Sequence, residues 1–120
     1  MKTLYFIMAF LASPAWAGGD IFAQCQFDQE CLEGESCNST SFELTVRHSD
    51  ATAFELETIA ESVPGIVFDN RHPDAASTLL AASATAHHLL TISPEGAARY
   101  TVHMQGPFAV TYLGSCEVAQ

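Results

Sequence analysis

The clearest alternation of apolar and polar positions lies between His87 and Cys116. Two runs rich in strand formers, His87 to Ile92 and Ala98 to Met104, flank Ser93-Pro94-Glu95-Gly96-Ala97. Pairing Ser93 with Ala97 leaves Pro94-Glu95-Gly96 as the loop. Proline then pre-sets the first turn residue, and glycine takes the left-handed position of a type I turn with a bulge. This register sets Ile92 opposite Ala98, Leu90 opposite Tyr100 and His88 opposite Val102. A second reversal at Gln105-Gly106-Pro107 leads into Phe108 to Leu113. Pairing Met104 with Phe108 puts Val102 opposite Val110 and Tyr100 opposite Tyr112. One face of the meander then gathers Leu90, Ile92, Tyr100, Val102, Met104, Phe108, Val110 and Tyr112. The other carries Thr91, Arg99, Thr101, His103 and Thr111. Alternation in phase across three strands fixes both the register and the buried face.

Earlier segments extend the same pattern less sharply. Phe42 to Arg47 alternates cleanly and is expected to be a strand. Ala53 to Ile59 alternates at Phe54, Leu56 and Thr58, but its Ser49-Asp50 start and its glutamates suit a short helix equally. Strand or helix stays open for residues 51–63, with strand favoured by the neighbours. Gly65 to Phe68 is a short strand before a polar loop, Asp69 to Asp74. Residues 77–86 are again open between strand and helix, because alanines weaken a strand. The expected fold is an all-β, disulfide-stabilised antiparallel meander of six or seven strands forming a small barrel or sandwich.

The N-terminus has a different pattern. Lys2 precedes an unbroken apolar run, Leu4 to Ala12; Ser13-Pro14 breaks any helix, and Ala15-Trp16-Ala17 presents a small-x-small cleavage site. Residues 1–17 are therefore expected to be a cleavable signal peptide, leaving 18–120 as a single acidic β domain. The apolar core is shorter than the roughly 20 residues that cross a bilayer as a helix. Cleavage removes the single lysine and the single tryptophan. The formal charge moves from −10 to −11, with Arg47, Arg71 and Arg99 as the basic residues. Such a surface repels phosphate backbones and anionic headgroups, which argues against nucleic-acid and membrane partners and favours cationic ones.

An exported chain with four cysteines is expected to form two disulfides. Three pairings are possible. The favoured one joins Cys31 to Cys37 across a short loop and Cys25 to Cys116 across the whole domain. In the chain-entropy model the long loop contributes about 4–5 kcal/mol and the short one about 2 kcal/mol. No C-x-x-C is present, so zinc and redox-dithiol readings are disfavoured. The segment 25–37 also holds Asp28, Glu30, Glu33 and Glu35, and is expected to be a solvated, cross-linked loop.

Candidate chemistry rests on the five histidines and on Arg99. His87 falls opposite His103 on the polar face, and cross-strand neighbours have Cβ atoms about 5 Å apart, close enough to share a metal or ligand. A third ligand would come from His48, His72 or a carboxylate. His88 points to the core side and is expected to be packed or at a rim. Arg99, on the polar face with Thr91, would anchor an anionic group or balance a nearby carboxylate. No G-x-S-x-G, H-E-x-x-H or P-loop motif is present, and no lysine of the mature chain is available for a Schiff base. The expectation is a protein that is not an enzyme and has no cofactor.

The acidic segment ECLEGESC together with the closing run GAARYTVHMQGPFAVTYLGSCE resembles small exported proteins of Gram-negative bacteria. That resemblance covers Cys25–Cys37 and Gly96–Glu117 and implies a periplasmic location without implying an activity. The architecture is also loosely similar to periplasmic lysozyme inhibitors, which are small disulfide-bearing β-barrels. Two functions follow as expectations: a periplasmic or secreted interaction module for a cationic protein partner, or a metal- or small-ligand-binding protein using His87, His103 and Arg99.

Overall fold

The computed structural model describes residues 20–50, 53–67 and 75–119. The expected signal peptide, the Asp69–Asp74 loop and His72 lie outside the described residues. Eight strands occur among the described residues: β1 (Ile21–Leu32), β2 (Asn38–His48), β3 (Ala53–Glu57), β4 (Ser62–Val67), β5 (Ser77–Ala82), β6 (Ala86–Ile92), β7 (Ala97–Met104) and β8 (Phe108–Val118). Each pairs antiparallel with its neighbour in sequence, and β1 also pairs with β8, so the meander closes into a barrel. Closure pairs the first strand with the last, so the sheet has no terminal edge strand, although β2 pairs with β3 over Thr45–His48 alone.

The β6–β7–β8 meander has the register that the alternation predicts: Ile92↔Ala98, Leu90↔Tyr100, His88↔Val102, then Tyr100↔Tyr112, Val102↔Val110 and Met104↔Phe108. The turn follows too. The Ser93 N–H donates to the Ala97 carbonyl, and Gly96 has φ +94°. Met104 and Phe108 depart from the expected buried face: they are 45% and 38% exposed. They flank the turn at the tip of the hairpin, where the opposite wall no longer covers them. Residues 53–57 and 77–82 form strands, each with two inward positions (Phe54 and Leu56; Leu79 and Ala81) in the barrel core. Burying alternate side chains outweighs the weak strand propensity of alanine and glutamate here.

The main correction concerns the first cysteines. The run from Cys25 onward is not a solvated loop as far as Leu32. It belongs to a 12-residue strand, and only Glu33–Cys37 makes the reversal into β2. Ala23, Cys25 and Phe27 face the core, while Gln24, Gln26 and Asp28 face water. The alternation in AQCQFD thus governs the segment despite its acidity. That strand also makes the total eight rather than six or seven.

The core is packed by side chains from every strand, with Phe27, Leu44, Val46, Leu79, Leu90 and Ile92 almost fully excluded from water. Charged and amide groups lie on the outer wall, an orientation opposite to that of a membrane-spanning barrel. At a bulge, β1 shifts register against both neighbours between Phe27 and Gln29. There Phe27 lies opposite Gly114, and a Cβ on Gly114 would overlap the Gln26 carbonyl and come 2.6 Å from the Phe27 Cα. Glycine is required by this close approach.

Candidate functional site

The four reversals that follow β1, β3, β5 and β7 ring one end of the barrel, here called the mouth. Hydrogen bonds from Glu33 N–H to the Ala109 carbonyl and from the Gln105 amide to the Ala84 carbonyl link those after β1, β5 and β7. The two described chain ends lie at the opposite end, where Ala119 N–H donates to the Phe22 carbonyl. There Phe22, His48 and Phe54 make a second, smaller ring cluster, with centroids 4.6–5.4 Å apart.

An aromatic plug fills the barrel just below the mouth. Phe42 stacks on Tyr112 at 4.5 Å, and both lie about 6 Å from Phe27 and Tyr100. His88 stacks against Tyr100 at 5.9 Å, and its Nδ1 shares a 2.5 Å hydrogen bond with the Tyr100 hydroxyl. Its Nε2 is buried without a hydrogen-bond partner among the described residues, 3.9 Å from a Glu61 carboxylate oxygen. Burial lowers the His88 pKa from the ordinary 6.5; the Glu61 carboxylate opposes that shift, and His87 adds to it. Burial raises the Tyr100 pKa above its usual range. The Tyr112 pKa is pushed up to about 12, by burial first and then by a hydrogen bond to Glu30. A neutral imidazole and a protonated phenol are consistent with Tyr100 O–H donating to Nδ1, leaving Nε2–H turned toward Glu61. The pair therefore sits inside the core, as expected for His88, and forms a polar bridge from the core to the rim.

The remaining candidates lie on the outer wall. His87 and His103 are paired across β6 and β7, and both are exposed. The flanking register positions are Ala82 on β5 and Ala109 on β8, which offer no side-chain ligand. No group of three potential metal ligands occurs among the described residues. Arg99 is exposed and lies opposite Thr91 and Leu113. It was expected to balance a nearby carboxylate, but among the described residues it makes no ion pair. The ordered arginine pair is Arg47 with Glu57, at 2.7 Å across β2 and β3.

Two shallow grooves on the outer wall escaped the sequence reading. One runs over β8–β1–β2 and is lined by Gln24, Gln26, Glu43, Thr45, Ser115 and Glu117. The other lies between β2 and the β3–β4 turn, where Glu43 and Glu57 meet Phe42 and the fully exposed Ile59. The outward alternation of Gln24, Gln26 and Glu43 was visible in the sequence. The pairing of β1 with both β2 and β8, which places these residues together, was not.

The fold and these surfaces define a small closed antiparallel β-barrel, covalently cross-linked and acidic outside. No protein-family model matches the chain, and no curated protein or solved structure matches it significantly.

Proposed function

We propose that the protein is an exported, non-enzymatic binding module of the periplasm or extracellular space whose partner is a cationic protein. The supporting observation is the groove over β8–β1–β2, where amide and hydroxyl groups surround the Glu43 and Glu117 carboxylates. It lies over a core packed by Phe27, Leu44 and Val46, so recognition is assigned to the outer wall. Two intramolecular disulfides suit an oxidising compartment. A lysozyme is a suitable cationic partner to test.

The experiment is a calorimetric titration of the mature protein with egg-white lysozyme at about 50 and about 500 mM salt, repeated with Glu43→Gln and Glu117→Gln. Charge-led recognition predicts weakening of roughly tenfold or more at the higher salt and in the double variant. Absence of binding at low salt, or binding indifferent to both changes, would overturn the reading. The metal-binding alternative has His87 opposite His103 as its supporting feature. Metal analysis of untagged protein tests it, and less than about a tenth of an equivalent after reconstitution would end it.

A further inference from the structure

The barrel wall has a gap. β2 pairs with β1 from Arg47 to Asn38, but with β3 only over Thr45–His48. Beyond Thr45, its β3-facing side has no strand partner among the described residues. The direction of the backbone groups follows from two bonds: His48 N–H donates to Asp20 on the β1 side, and Ser49 N–H donates to Ala53 on the β3 side. In an antiparallel strand the N–H and C=O of one residue point the same way, and successive residues alternate. Arg47, Thr45 and Glu43 therefore direct both groups toward the β3 side, and Glu43 is the first to do so past the last β2–β3 pair.

We propose that this open stretch of β2 receives an extended segment of a cationic partner by strand addition. The proposal rests on the reading of the protein as a binding module for a cationic partner, and it specifies how the partner is held. The groove beside this edge carries the chemistry for one kind of occupant. Glu43 supplies negative charge, the Glu57 carboxylate being already paired with Arg47, while Ile59, wholly exposed, and Phe42, half-buried, supply apolar surface. Side chains of an added strand alternate between faces, so a segment alternating basic and apolar residues satisfies both. A second copy of this chain is a poorer occupant, because pairing two β2 edges brings like-charged walls together.

The test uses the mature protein and two synthetic peptides of alternating lysine and valine, identical except that one is N-methylated at every backbone amide. Both carry the same charge, but the methylated peptide has no N–H to donate to a ladder along either edge. Strand addition predicts that the unmodified peptide binds at least roughly tenfold tighter and slows hydrogen exchange at the Glu43 amide. Equal binding, or no protection at Glu43, overturns strand addition while leaving charge-led recognition in place. Failure of both peptides to bind at low salt overturns both readings. Protection of Glu43 in the free protein, rising with protein concentration, assigns the edge to a second copy and also overturns the proposal. The Glu43→Gln variant keeps the amide and removes the charge; it is expected to weaken both peptides alike and to preserve their ratio.

Discussion

Cys25 and Cys116 are register partners across the seam where the first strand meets the last, and the bond between them closes the barrel covalently. The second bond, Cys31–Cys37, spans only the β1–β2 reversal. The two therefore constrain the unfolded chain very differently. Replacing Cys25 and Cys116 together with serine is expected to cost about 4–5 kcal/mol in denaturant unfolding, against about 2 kcal/mol for the Cys31/Cys37 pair. Equal costs would show that loop length does not govern their contributions.

His88 gives the fold a dependence on acid. Its folded pKa lies below the unfolded value of 6.5, so the unfolded chain binds protons more readily. Its contribution is complete above pH 6.5 and is lost as pH falls from there through the folded pKa. Thermal unfolding followed from pH 8 to 5 should show this loss, and His88→Gln should flatten the part of the profile due to this residue. A profile unchanged by the substitution would exclude His88 as the acid-sensitive group.

The tyrosines respond at the other extreme. The two in the barrel, Tyr100 and Tyr112, have pKa values raised above the ordinary 10.0. The stability they supply is complete below pH 10 and declines as pH rises toward their folded values. Phenolate absorbance at 295 nm should stay low at pH 10.5 in the folded protein prepared without residues 1–17 and rise with unfolding in alkali. Half-titration of a phenol at pH 10 in folded protein would contradict the buried plug.

Gly114 is a point of steric intolerance. Gly114→Ala forces the new methyl into the β1 backbone at the bulge, at an expected cost of about 1–3 kcal/mol or more. Gly34, with open space around its Cβ position, provides a comparison. Its φ of +80° makes Gly34→Asn a milder test than alanine. Chemical denaturation of the two variants should separate packing from backbone effects.

Much of the barrel was legible locally. The β6–β8 meander, its turns and the paired histidines follow from period-two alternation and from Pro94 and Gly96. Of the three pairings that four cysteines allow, the favoured one, Cys31–Cys37 with Cys25–Cys116, is the one observed. β1 was obscured because its outward residues are acidic and amidic and its cysteines drew attention to cross-linking rather than to alternation. The plug was only partly legible. Tyr100 opposite Tyr112 is a local pairing, whereas Phe27, Phe42 and Glu61 reach the same place through the closure of β1 onto β8 and the curvature of the wall. Arg99 shows the same limit: its face was predictable, but its lack of an ion pair among the described residues depends on which strands flank it.

Closure also changes the meaning of sequence order. Ala23 and Val118 are register partners, and every other link among the strands is a connection between neighbours. Topologically the domain is a ring that happens to be cut between its last and first strands. A short linker across that cut, with new ends placed in the exposed Pro94-Glu95 turn, would leave each strand with the same neighbours. The order in which the strands leave the ribosome is thus one of several that the same barrel can accommodate.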